Sequence, residues 1–231
     1  MKSRDPSTTE ALAAGGLDFV IADLEHSSLS VHDVEAIARA GAAWNVPVLA
    51  RVPPAGLGLI GALLDAGAAG IQVSDVTSAE LAQRAEAAAH YPPRGQRSLS
   101  MATRAGSFGM TSAAEHVVAS NWETVLIGQV ESVDGLAALP DIIEAGAFHA
   151  LFIGPSDLSL SLGHPGDLGH PTVAGVLAKT AATILDSGTP LGIACPTAAV
   201  AAGWAARGAT LLAISSDVGL LASAAAAIRR P

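Results

Sequence analysis

The sequence predicts an α/β protein: a (β/α)8 TIM barrel with a degenerate or missing first strand. Three observations carry this. Short apolar runs alternate with helical segments along the whole chain. The runs lack strict polar–apolar alternation, as strands buried on both faces do. Polar residues able to do chemistry follow nearly every run, where a barrel assembles its active site from its βα loops.

The elements follow in order. Asp5-Pro6-Ser7-Thr8 starts a helix and Gly15-Gly16 stops it. Residues 18–22 form a strand that runs into Asp23-Leu24-Glu25-His26, and Ser30 caps a helix over 31–40, ended by Gly41. A strand over 46–50 has Arg51 at its end, and Pro53-Pro54 turns into a helix reaching Ala66. Residues 70–73 are a strand followed by Ser74-Asp75, and Thr77 caps a helix to Ala89. From His90 to Gly109 the rhythm breaks into a loop carrying Arg94, Arg97 and Arg104, which reads either as a functional loop or as a solvated excursion. A helix over 112–119 precedes a strand over 124–130, with Gln129 and Glu131 at its end. Asp134 to Ala145 is a helix stopped by Gly146.

The next strand, 149–153, empties through Gly154-Pro155 into Ser156-Asp157. There a carboxylate is presented among freshly turned backbone N–H groups, and a helix cap is the competing reading. After the loop 163–171, a helix from Thr172 to Ser187, a strand over 190–194, a helix over 197–207 and a strand over 209–214 follow. Ser215-Ser216-Asp217 then opens the last helix. The count is seven strands in a single domain over 1–231. A helix stands where an eight-fold barrel would place its first strand, and Met1 to Arg4 is short and polar for that role. A doubly wound fold would also put polar groups at strand ends, but no Gly-rich fingerprint follows any strand here.

Composition narrows the function. Half of the 231 residues are hydrophobic, enough for a sizeable core, and the net charge is −9 without a basic cluster. Nucleic acid and anionic membrane are therefore not expected as partners. One cysteine, Cys195, excludes a disulfide framework; it precedes a proline and reads as a small buried residue. The first residues lack a signal-peptide core, and no apolar run approaches membrane-spanning length, so a cytoplasmic protein is expected.

His26, Arg51, Asp75, Glu131, Asp157, Cys195 and Asp217 all fall at strand carboxyl ends. Glu131 and Asp157 lie on consecutive strands, and two carboxylates suit Mg2+ or Mn2+ with the rest of the shell left to water and substrate. A pair of caps or a salt-bridge set is the alternative, with Arg51 and Arg97 the cations placed to answer them. His26 reads as a base because its D-x-E-H setting offers a carboxylate to orient the ring; a metal ligand or a satisfied strand-end histidine are the other readings. Arg51 offers a fork of donors to a carboxylate or a developing enolate. Together these suit making or breaking a C–C bond beside a 2-oxo acid by Lewis-acid catalysis. A Schiff-base lysine is not required, and the two lysines, Lys2 and Lys179, lie away from strand ends.

The motifs F-V-I-A-D-L-E-H at 19–26, A-R-V-P at 50–53, L-L-D-A-G at 63–67, Y-P-P-R-G-Q-R-S at 91–98, G-Q-V-E at 128–131, F-I-G-P-S-D-L-S at 152–159 and G-H-P-G at 163–166 carry a resemblance. The chain resembles the HpcH/HpaI aldolases, metal-dependent class II pyruvate aldolases of the 4-hydroxy-2-oxoheptanedioate and 2-dehydro-3-deoxyglucarate aldolase type. The resemblance implies a phosphoenolpyruvate/pyruvate-type barrel cleaving a 4-hydroxy-2-oxo acid to pyruvate and an aldehyde. It implies His26 as base, and Asp65 as the carboxylate raising its basicity, in the family reaching in from a neighbouring subunit. Arg51 would stabilise the enolate, Glu131 and Asp157 would hold Mg2+, Mn2+ or Co2+, and Gln129 and Ser156 would contact the 2-oxo acid. It also implies a homo-oligomer, a hexamer or trimer of dimers.

Three departures stand beside it: the poor first strand, Ser27 where glycine is usual, and Ser74-Asp75 where Val-Pro and a variable residue are usual. The last adds a carboxylate that would reshape the aldehyde-side pocket. A CoA-ester lyase, with Arg94, Arg97 and Arg104 as a rim for the phosphates, and a non-catalytic metabolite-binding barrel are the competing expectations.

Overall fold

The computed structural model describes residues 1–229. It contains the seven expected strands: β1 (Val20–Asp23), β2 (Val48–Val52), β3 (Gly70–Val73), β4 (Val125–Val130), β5 (Ala150–Ile153), β6 (Leu191–Cys195) and β7 (Leu211–Ile214). They are hydrogen-bonded in chain order, β1-β2-β3-β4-β5-β6-β7. Each begins and ends within two residues of the span read from the sequence.

The chain falls into two compact bodies. Among the described residues, the first comprises 1–71, 87–124 and 215–229; the second comprises 72–86 and 125–214.

In the first body, β1 and β2 pair in parallel from Val20↔Val48 to Asp23↔Arg51. The helices are α1 (Pro6–Ala14) and α2 (Val31–Ala43), then a 3-10 turn (Pro54–Leu59) leading into α3 (Ile60–Asp65), then α5 (Ala113–Glu123) and α10 (Asp217–Ile228). Asp5 caps α1, and Ser30 and Ser112 close capping boxes on α2 and α5. Gly41 does not stop α2, which runs on to Ala43. It is a close-approach glycine: a Cβ there would lie 2.5 Å from the carbonyl of Val46 and 2.8 Å from Cγ2 of Val48. Ahead of α1 there is no assigned strand, but the Met1 nitrogen donates to the carbonyl of Ile21 and Asp23 N donates to Met1 O at 3.0 Å. These two bonds are those of one parallel bridge between Met1 and Ala22. Lys2 and Ser3 then donate their amides to the Asp217 carboxylate at 2.9 and 2.7 Å. Burial works against that charge, yet these amides hold the Asp217 carboxyl below its ordinary range.

The second body holds β4 to β7, paired in parallel with Ile127↔Ala150, Leu151↔Leu191 and Gly192↔Leu211 opening the three registers. Its helices are α6 (Val133–Ala145), α7 (Pro155–Ser161), α8 (Pro171–Asp186) and α9 (Ala198–Ala205); α4 (Ala79–Ala89) lies mostly in it. Ser78, not Thr77, caps α4, accepting from Leu81 N at 3.1 Å. Helix α8 buries Val173, Leu177, Thr180, Ala181 and Ile184, a stripe at helical spacing, and every residue of β5 is buried. Gly146 stops α6 in the left-handed conformation, as expected. The segment after Gly154 is the short helix α7, with Pro155 at its first position, where no N–H is needed.

Candidate active site

Two polar clusters stand at strand carboxyl ends, one in each body. In the first, the β1–β2 register sets Asp23 beside Arg51. Their side chains form a two-point ion pair, Arg51 Nε to Asp23 Oδ1 at 3.0 Å and Nη2 to Oδ2 at 2.7 Å. Arg51 is therefore inside β2 rather than beyond it. Asp23 Oδ1 also accepts the amides of Glu25 and His26 at 3.1 Å. Burial alone would raise the Asp23 carboxyl, but the Arg51 guanidinium and these two amides bring it down to about 2.

The His26 ring is half exposed, with Nε2 at 3.8 Å from Glu25 Oε2, and the same oxygen lies 3.5 Å from Arg51 Nε. Glu25 is thus the neighbour of the imidazole that the D-x-E-H spacing anticipates, while Asp23 anchors the loop and the arginine. Ser27 braces this loop: its hydroxyl donates to the carbonyl of Asp23 and accepts from Leu29 N at 3.0 Å. Two cations strap the loop from the amino-terminal segment. Lys2 Nζ reaches the carbonyl of His26 at 3.1 Å, and Arg4 Nη2 that of Ser28 at 2.6 Å.

The depressed Asp23 carboxyl makes stability depend on pH. Its folded value of about 2 lies below the usual 3.8, so the folded state is favoured by about 2 kcal/mol above pH 4, and this is lost as the pH falls through 2. Urea unfolding at stepped pH should show that acid loss in the wild type and a flatter acid limb in Asp23→Asn, which starts from lower stability at pH 7.

Asp65, at the end of α3, is held by Arg97, whose Nη2 lies 2.5 Å from Oδ1. The Arg97 guanidinium also sits over the Tyr91 ring, 4.6 Å from its centroid. Tyr91 in turn hydrogen-bonds His116 at 3.1 Å. The long loop is therefore anchored internally, and Arg97, with a side chain 2 % exposed, is not part of a solvent-facing basic rim. Cys195 is buried and burial raises its thiol, as a structural cysteine requires.

The second cluster is built on β3, β4 and the β5–α7 turn. Gln72 Nε2 donates to Gln129 Oε1, and Gln129 Nε2 donates to Glu131 Oε2. Asp75 N donates to Glu131 Oε1 at 3.0 Å. Asp75 itself adopts φ +42°, a conformation uncommon outside glycine, and its Oδ1 accepts the Ser132 hydroxyl at 2.7 Å. Gln72, Gln129 and Glu131 are all buried. The Gly154 backbone lies directly against the Glu131 carboxylate: a Cβ there would be 2.2 Å from Oε2. Two and three residues on, Ser156 and Asp157 are exposed in the first turn of α7. Neither caps that helix, whose cap position is Gly154 with no side-chain cap bond.

This donor set fits a hard divalent cation. One carboxylate is buried and fixed by two N–H donors, another is solvent-accessible on the adjoining turn, and glycine leaves the approach open. Among the described residues no group of three or more His, Cys, Asp or Glu side chains is placed to hold a metal ion, so a bound ion would keep positions for water or substrate oxygens.

His26 and Arg51 thus come together around Asp23 and Glu25, Gln129 and Glu131 are bonded to each other, and Asp65 is paired with Arg97. Sequence reasoning missed Asp23 and Glu25 as separate partners, and it missed Gln72 altogether, hidden in the apolar run Gly-Ile-Gln-Val.

Parallel strands that carry titratable side chains at their carboxyl ends are the arrangement on which barrel enzymes build their active sites. The comparisons with known proteins make this specific. The family model described as HpcH/HpaI aldolase/citrate lyase matches residues 1–224, and the chain belongs to that family. The 5-keto-4-deoxy-D-glucarate aldolase of Shigella dysenteriae is 34% identical over 222 residues, covering 95% of this chain and 85% of the relative. Solved structures of an HpcH/HpaI aldolase/citrate lyase family protein from Burkholderia cenocepacia and an HpcH/HpaI aldolase from Desulfitobacterium hafniense superpose with TM-scores of 0.91 and 0.90, at 32% and 29% identity. Each covers 99% of this chain and 90% of the other. The expected family, barrel class and aldolase-type enzyme are borne out. Among the described residues, no helix is long and apolar enough to cross a membrane.

Proposed function

We propose that this chain is a divalent-metal-dependent aldolase, working as one domain. In this reading it reversibly cleaves a 4-hydroxy-2-oxo acid to pyruvate, or a related 2-oxo acid, and an aldehyde. The observation that carries the reading is the buried Glu131 carboxylate, fixed by Gln129 and the Asp75 amide and seated against Gly154 beside the Asp157 turn. The relatives named for 5-keto-4-deoxy-D-glucarate make that sugar-derived acid the first substrate to try.

Glu131 and Asp157 would hold Mg2+, Mn2+ or Co2+. Bound there, the ion supplies Lewis-acid polarisation of the 2-oxo acid. Gln129 and Ser156 contact the 2-oxo acid and fix its plane. His26 removes the proton from the C4 hydroxyl; the C3–C4 bond breaks, the aldehyde leaves, and the electron pair passes to the C2 carbonyl as an enolate. Arg51 donates to the developing enolate oxygen, and its two bonds to Asp23 hold the guanidinium in one orientation, so little reorganisation accompanies the charge. Return of the proton to C3 completes pyruvate. Asp65 raises the basicity of the imidazole in a homo-oligomer of the hexameric, trimer-of-dimers kind, and the enzyme works in the cytoplasm.

Dialysis against a chelator should abolish pyruvate release from 5-keto-4-deoxy-D-glucarate, and Mg2+, Mn2+ or Co2+ should restore it. Full turnover by demonstrably metal-free protein would overturn the reading. Condensation of pyruvate with a panel of aldehydes, followed by mass spectrometry, then reports the acceptor range that Asp75 allows.

A further inference from the structure

We propose that Gln72 is a positioning residue that fixes the amide of Gln129 and, through it, the carboxylate of Glu131. The inference rests on the aldolase reading, in which Glu131 holds the metal and Gln129 the 2-oxo acid.

The direction of the chain of hydrogen bonds is set by chemistry. An ionised carboxylate only accepts, so Gln129 must turn its NH2 toward Glu131, as it does. Its carbonyl is then forced toward β3, where it needs a donor. Gln72 supplies that donor with its own NH2. Remove it, and the Gln129 amide loses the only contact on this path that tells its two ends apart; the flipped amide would set a carbonyl against the Glu131 carboxylate.

A second observation sets Gln72 apart from an ordinary core residue. Gln72 is 1 % exposed, and its Oε1 has no hydrogen-bond partner among the described residues. An apolar side chain of the same shape would carry no such orphaned acceptor on a strand that is otherwise buried along its length. A buried amide that satisfies its partner but not itself is accounted for by the site it orients.

The test uses the full-length protein and Mn2+ as probe. Gln72→Met keeps the shape and removes the donor, and Gln72→Leu serves if the first variant folds poorly. Titration calorimetry of Mn2+ with pyruvate present should show affinity at least tenfold weaker in Gln72→Met, with a melting temperature of the metal-free protein within about 4 °C of wild type. In a Gln129→Leu background the same substitution should change Mn2+ affinity less than twofold, because the relay is already cut. Unchanged Mn2+ affinity in Gln72→Met overturns the proposal, as does an equal loss in the Gln129→Leu background. A large fall in melting temperature with Mn2+ affinity retained also overturns it, since it marks a purely structural role. Wild-type protein that binds no Mn2+ fails differently: it removes the metal reading itself, and the relay with it.

Discussion

Gly154→Ala should leave a folded protein that neither binds a divalent ion at Glu131 nor turns over. The backbone at Gly154 has φ −97° and ψ 88°, which alanine tolerates, so conformation is not the obstacle. Space is. The added methyl would fall 2.2 Å from Glu131 Oε2 and 2.9 Å from Gln129 Nε2, and both side chains are buried with no room to retreat without breaking their bonds. Displacing the carboxylate leaves the Asp75 amide and the Gln129 amide without their acceptor, a destabilisation of about 2–4 kcal/mol if both are orphaned. Loss of activity should exceed a hundredfold. The checks are pyruvate release, Mn2+ calorimetry and circular dichroism together; a fully active Gly154→Ala enzyme would show that Glu131 does not serve the chemistry.

His26→Ala should lower turnover by roughly 10²–10⁴-fold, the range that a positioned general base contributes, with little change in stability. The ring is half exposed and its Nε2 contact is a 3.8 Å approach to Glu25, so its removal opens no cavity. The backbone that holds the loop is unaffected: the His26 amide still donates to Asp23, and its carbonyl still accepts from Lys2. Steady-state kinetics should therefore place the loss in kcat, with 2-oxo acid and Mn2+ binding retained. Turnover equal to wild type would remove His26 as the base.

The strands were legible because each is a short apolar run punctuated by glycine, proline or a cap, and that signal is local. The placement of Glu131 at the end of a strand, and of His26 beside a carboxylate, was legible for the same reason. What the sequence hid is partnership across long separations. Arg97 reads as an answer to Glu131 or Asp157, yet it lies on Asp65, 32 residues away. Asp217 reads as one more polar group at a strand end, but its carboxylate is spent on the amides of Lys2 and Ser3. Gly41 looked like a helix stop because a glycine is ambiguous until its neighbours in space are known; Val46 and Val48 decide it. Gln72 was invisible for the opposite reason: one polar residue in a buried strand leaves the apolar pattern intact.

The bonds from Lys2 and Ser3 to Asp217 span 215 and 214 residues, and this has a consequence for how local motion spreads through the first body. They tie the segment ahead of α1 to the first turn of α10. Fraying of α10 at Asp217 would release the amides of Lys2 and Ser3, and with Lys2 the contact to the carbonyl of His26. Order in the His26 loop is thus coupled to a helix nearly two hundred residues away.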